Sequence, residues 1–183
     1  LAYGFLDKNY KYKLNGMYLF KKNPRTYLAL SYIKDIDYGQ SYYDEISQDN
    51  IFALAIRKSS IPIKFLLVEE QKLEFFHEWH NGFSVTLTGL RKQFDPVRNL
   101  PSADIFKGTS GEPLNTMETS VRFRFAYLEK FLESTFYRSS VGSPYPITEL
   151  KFTKGFSGIL NSSYDYTKVT GGISDYIKIP PYG

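Results

Sequence analysis

The run His77-Glu78-Trp79-His80 holds both histidines of the chain, so it is where metal or acid–base chemistry would first be sought. The zinc motif His-Glu-x-x-His needs its two histidines on one helical face. These two have a different spacing, and on a strand His77 and His80 point to opposite sides. His77 is expected beside Trp79, with His80 at a hairpin corner. Glu74 and Glu78 share a strand face, but roughly 13 Å separates them. That is wider than the paired carboxylates of a glycosidase. Gly108-Thr109-Ser110-Gly111 lacks the lysine and the strand-to-helix setting of a phosphate cradle. Asn161-Ser162-Ser163 has the form of a glycosylation sequon and equally of a turn. With no Cys, thiolate metal sites and disulfides are ruled out. The expectation is a non-enzymatic chain with no catalytic residue, cofactor or metal.

What remains is an unusual composition. The 183 residues include 16 Tyr and 15 Phe but one Trp, and aromatics reach 17%. That length suits one domain or a slice of a larger one. Net charge is +4, with cations scattered among 19 acids, so no nucleic-acid footprint is expected. No run approaches the roughly 18 apolar residues of a membrane helix. The composition suits either a thick soluble core or aromatics facing lipid, and the strand faces must decide.

Alternation with period two marks the strands. In 10–20, Tyr10, Tyr12, Leu14, Gly16, Tyr18 and Phe20 oppose Lys11, Lys13, Asn15, Met17 and Leu19. A tight turn at Lys21-Lys22-Asn23-Pro24 leads into 25–33, where Leu28, Leu30 and Tyr32 oppose Arg25, Tyr27, Ala29 and Ser31. Residues 34–50 are too polar to continue that strand. Residues 51–57 fit a short helix or a strand. A strand within 63–79 sets Leu73, Phe75, His77 and Trp79 against Lys72, Glu74, Phe76 and Glu78. Asn81-Gly82 is a strong hairpin signal, and Phe83, Val85, Leu87 and Gly89 return opposite Ser84, Thr86 and Thr88. A loop is expected over about 95–117, then Val121, Phe123, Phe125 and Tyr127 alternate with Arg122 and Arg124. Residues 128–146 read as irregular, with one helical turn around 129–133. Thr148, Leu150, Phe152, Phe156 and Leu160 oppose Glu149, Lys151, Thr153 and Ser157, and Tyr164 and Tyr166 open a last strand.

These make about eight strands, each near the ~9–11 residues that cross a bilayer when tilted. Short connections at 21–24 and 80–82 would fall on one end, and long ones at 34–60 and 95–118 on the other. Outer-membrane barrels have short periplasmic turns and longer external loops. A soluble core with this many Tyr would have to satisfy each hydroxyl internally, whereas a membrane interface does so with water and headgroups. The predicted fold is all-β, part of an antiparallel transmembrane β-barrel. Lys11, Lys13, Arg25, Glu74, Glu78, Arg122, Arg124, Glu149 and Lys151 would face the lumen, paired across strands. Tyr12, Leu14, Tyr18, Leu28, Leu30, Phe75, Trp79, Val85, Leu87, Val121, Phe123, Phe125, Leu150 and Phe152 would face lipid. With no signal peptide at its start, residues 1–183 read as a partial barrel domain excerpted from an exported protein.

Several runs resemble a known family: Glu78-Trp79-His80-Asn81-Gly82-Phe83-Ser84, Tyr127-Leu128-Glu129-Lys130-Phe131, Tyr145-Pro146-Ile147 and Gly155-Phe156-Ser157-Gly158. Ser163-Tyr164-Asp165-Tyr166-Thr167-Lys168 and the opening Tyr3-Gly4-Phe5-Leu6-Asp7-Lys8-Asn9-Tyr10-Lys11-Tyr12 add to the likeness. The chain is similar to a Bacteroidota outer-membrane β-barrel family of unknown function, whose members carry a carboxypeptidase-regulatory-like β-sandwich before the barrel. The resemblance implies architecture and an outer-membrane location, with lipid, lipopolysaccharide and other outer-membrane proteins or lipoproteins as partners. It supplies no catalytic residue. Solute passage or a role in envelope assembly is the expected function. The alternatives are the barrel portion of a TonB-dependent-type transporter, with a plug and about 22 strands, and a soluble lipid-binding β-barrel.

Overall fold

The computed structural model describes residues 1–4, 9–37, 65–98, 114–134, 137–162 and 164–175. Their architecture is all-β. Eight strands form one antiparallel sheet: β1 (Ala2–Gly4), β2 (Asn9–Lys21), β3 (Thr26–Asp37), β4 (Phe65–Glu78), β5 (Phe83–Arg98), β6 (Leu114–Phe125), β9 (Ile147–Gly155) and β10 (Tyr166–Ser174). They lie in that order, each beside its neighbour in sequence except across a two-stranded hairpin, β7 (Lys130–Glu133) and β8 (Arg138–Gly142), inserted between β6 and β9. Among the described residues the sheet is open, with β1 and β10 at its margins. No described helix is long and apolar enough to cross a membrane.

Several boundaries differ from the expectation. β3 continues to Asp37 because β4 offers it a full ladder, Asp37 opposite Leu66. β5 runs to Arg98 and β6 begins at Leu114, which shortens the expected loop at both ends. Pro96 is accommodated because it lies beyond Phe94, the last β5 residue paired with β6, and beside a register shift against β4. The helical turn expected around 129–133 is the hairpin β7–β8. Over so few residues, apolar spacing does not separate period two from 3.6. Leu160 leaves the strand pattern: it sits in a 3₁₀ turn, Ile159–Asn161, with φ 50°. The reading of 51–57 and the Gly108–Gly111 loop lie outside the described residues.

The Asn81-Gly82 corner behaves as its residues dictate. Gly82 takes φ +81°, its N–H donates to the Trp79 carbonyl (3.2 Å), and Asn81 Oδ1 accepts from the Phe83 N–H (3.1 Å). The Gly82 carbonyl in turn accepts from the Ala126 N–H (2.9 Å), tying this corner to the end of β6. A Cβ here would meet the Ala126 backbone, with its carbonyl carbon 2.9 Å away. Gly82→Ala is therefore expected to destabilise by about 1–3 kcal/mol, the range for a side chain forced into such a conformation. A lowered urea midpoint with unchanged m would show it.

Among the described residues few apolar side chains are buried: only Leu67, Ala126 and Ile147. Most of the other large apolar groups lie exposed along one side of the sheet.

Candidate functional site

Pairing register carries each strand's alternation across the sheet. Opposite residues of an antiparallel pair put their side chains on the same face. One row reads Tyr18, Leu28, Phe75, Leu87, Val121, Phe152, Val169 from β2 to β10. The next rows add Leu30 beside Leu73, then Val85, Phe123 and Leu150, then Phe83 beside Phe125, with Trp79 at the turn. Every one of these belongs to a single apolar face. Tyr18 is 66% exposed, Leu87 43% and Phe75 36%. Rings gather at the end with the two short turns: His77 on Trp79 at 4.3 Å, Trp79 on Phe83 at 5.4 Å, and Tyr127 on Tyr145 at 5.3 Å.

The apolar face changes character toward the other end. Leu14 stands opposite Tyr32, Tyr32 opposite Gln71, and Gln71 opposite Arg91. Tyr12 shares the face with the residues above, but its hydroxyl donates to Tyr32 (2.8 Å), which donates to Glu69 (2.7 Å). Tyr12 thus marks a polar rim. Tyr10 to Phe20 covers about 33 Å of β2, and Leu73 to Trp79 about 20 Å from β4 into the turn. Tilted by about 40°, these become about 25 and 15 Å, against the ~25 Å apolar band of an outer-membrane barrel.

The opposite face holds the charges. Lys11, Lys13, Glu74, Glu78, Arg122, Arg124, Glu149 and Lys151 all lie on it by register, with Arg25 at its short-turn edge. Arg25 is buried, its guanidinium 5.9 Å from the Tyr27 ring centroid. Glu74 pairs with Lys72 (2.7 Å) and accepts from the Tyr27 hydroxyl (2.9 Å). Glu70 pairs with Lys92 (2.8 Å), and Arg124 reaches across to Glu149 (3.0 Å). Small hydroxyl residues, Ser84, Thr86, Ser120 and Thr153, form the buried floor beneath these long side chains. Thr86 and Ser120, with the charged side chains around them, line a groove of about 560 Å³. Lys72 and Glu70 were legible as members of this face, since each continues the parity of Glu74, and Lys92 continues that of Ser84, Thr86 and Thr88; Glu118 fell in the expected 95–118 connection and joins the face through the earlier start of β6.

Two residues that close the short-turn end of this face carried no such signal. Glu129, in the connection after β6, receives both terminal nitrogens of Arg124 (2.6 and 2.7 Å) and the Ser140 hydroxyl (2.6 Å). Its side chain is 2% exposed. Arg138 of β8 ion-pairs with Glu78 of β4, lies 2.8 Å from Glu133, and covers the Phe131 ring at 3.3 Å. The hairpin is thereby strapped across the ends of β4, β5 and β6 on the charged side.

Burial opposes ionisation of Glu129, but hydrogen bonds from Arg124 and Ser140 and the charges of Arg124 and Arg138 outweigh it, holding the carboxyl below its usual 4.5. A lowered folded-state pKa lends stability that is complete above the unfolded value and lost as pH falls through the folded one. The hairpin is therefore expected to loosen only below about pH 4.5. The chain has no Cys, so a nitroxide at Ser139→Cys reports this cleanly: its mobility should rise on acidification in the native background. With Glu129→Gln, mobility should already be high at neutral pH.

His77 Nδ1 lies 2.9 Å from the Thr26 hydroxyl, and His80 sits in the turn. Among the described residues no three His, Asp or Glu side chains converge on a metal position.

A model of the C-terminal domain of a family of unknown function (DUF5686) matches residues 1–183. The chain belongs to that family. No curated protein and no solved structure matches it. What this DUF5686 C-terminal domain offers chemically is therefore read from its two faces: one apolar and ringed by aromatics, the other a bed of ion pairs over hydroxyls.

Proposed function

We propose that this DUF5686 domain is part of a transmembrane β-barrel in the outer membrane of a Gram-negative bacterium of the Bacteroidota. It acts without catalysis, in solute passage or as a partner in envelope assembly. One observation carries the proposal: large apolar and aromatic side chains form a continuous exposed band across the sheet, while the paired charges occupy the other face. In water such a band would exceed the few hundred Å² that soluble monomers expose. In lipid it is the required surface.

Three further features support it. The band adjoins the short turns at 22–25 and 79–82, and the strands that extend beyond it do so toward the long connections, as external ends of barrel strands do. The exception is the 126–146 connection, which lies at the short-turn end and folds back as the strapped hairpin. The sheet is a sequential meander, the topology of such barrels. A bilayer also leaves no backbone edge unpaired. The outer edges of β10, of β1, and of β2 beyond its short pairing with β1 are accordingly assigned to pairing with further barrel strands. The preceding carboxypeptidase-regulatory-like sandwich belongs to the same proposal, on the strength of the family resemblance.

The decisive experiment is reconstitution of the full-length protein into liposomes, followed by swelling and planar-bilayer conductance. Stable, detergent-dependent insertion is the expected result. Conductance would assign passage, and insertion without it an assembly role. A protein that stays monodisperse in buffer without detergent would overturn the proposal.

A further inference from the structure

The groove on the charged face has a local imbalance. Its four acids are all engaged: Glu70 by Lys92 and Glu74 by Lys72, Glu149 by Arg124, and Glu118 by the Tyr166 hydroxyl. Tyr166 is held there because its ring lies over Gly155, where a Cβ would come within 2.5 Å of it. Two cations of the groove have no acid of their own. Arg122 and Lys151 stand directly opposite each other on β6 and β9. Arg122's one side-chain hydrogen bond among the described residues is a long one to Thr86 (3.4 Å). Glu74 reaches Arg122 only through its field. Lys151 has no ion pair among the described residues, and its other neighbour is Thr170.

Like charges directly opposite on neighbouring strands destabilise a sheet. A fold that keeps such a pair, beside hydroxyls and over a cleft, lines one groove with a fork donor, an ammonium and alcohols in a single row across four strands. That is the equipment for a phosphate or carboxylate oxygen set.

We propose that Arg122 and Lys151, with Thr86 and Thr170 flanking them, form an anion-binding site in this groove, selective for a phosphate- or carboxylate-bearing solute. It rests on the barrel reading only in taking the groove as part of a lumen. The site faces away from the apolar band, so its ligand comes from the aqueous side and not from a lipid headgroup.

The test uses the full-length protein in a phosphate-free maltoside detergent, with inorganic phosphate as the probe. Saturable broadening of the phosphorus resonance is expected, together with a phosphate-dependent rise in Tm. Arg122→Gln/Lys151→Gln should weaken binding at least tenfold, while Lys154→Gln, on the apolar face beside Asp165, leaves it unchanged. Lys151→Glu provides the control for folding. It should raise Tm without phosphate, by turning a repulsive pair into an attractive one, and abolish any further rise with phosphate. Absence of saturation in the native protein, or full binding by the double variant, overturns the site. Saturation by an anionic phospholipid in mixed micelles, but not by inorganic phosphate, overturns the assignment to a solute. Phosphate binding by a protein that needs no detergent would sink the barrel and keep the site. Detergent-dependent insertion without binding would do the reverse.

Discussion

Leu87→Arg is expected to destabilise the inserted protein by about 2–4 kcal/mol, the cost of a guanidinium at the lipid-facing midplane of a barrel. Leu87 lies in the middle of the apolar row, between Phe75 and Val121. In the proposed setting its side chain has hydrocarbon on the open side, and the rise to either rim is too long for complete snorkelling. Thr88→Arg, one residue on and pointing to the charged face, should cost much less, since Glu74 lies opposite. The contrast is the informative quantity. If the apolar face were merely wet, a substitution at a site already 43% exposed would stay within about 0.5 kcal/mol. Unfolding of both variants in lipid vesicles by urea, beside the parent, reads the difference directly.

Arg124→Ala should cost about 3 kcal/mol, near the lower end for breaking a buried pair by removing one partner. Little of this would come from Glu149, which is 41% exposed and loses only a screened partner. The cost arises at Glu129, whose carboxylate would stay buried with Ser140 and the more distant Arg138 as its remaining support. Adding Glu129→Gln to Arg124→Ala removes that orphaned charge, so the double variant is expected to be more stable than Arg124→Ala alone. Guanidinium unfolding of the four members of the cycle measures this coupling. Equal losses for Arg124→Ala and the double variant would place the effect elsewhere.

Both results depend on features of different legibility. The two faces could be read from alternation, because a strand's side-chain period is two and needs no knowledge of partners. Tyr10 through Phe20 and Leu73 through Trp79 show it most clearly, and the Asn81-Gly82 corner then sets the antiparallel register between β4 and β5. The extra residues of β3 and β5 were not legible. Asp35, Asp37, Asp95 and Pro96 have poor strand propensity, and the ladders to β4 override it. Glu129 was equally hidden, since nothing in its neighbours says that Arg124 will fold back to it.

The chain's own alternation and turn residues determined that this would be an antiparallel all-β structure with one aromatic face and one charged face. Those properties are local, set by pleat and turn chemistry within a few residues. Tertiary structure decided which charges meet. The Arg122–Lys151 opposition depends on the register of β6 against β9, across the 126–146 connection. The Arg138–Glu78 pair depends on a hairpin returning over strand ends 60 residues away in sequence. Loop closure, not local preference, sets such separations, so only the folded sheet reveals them.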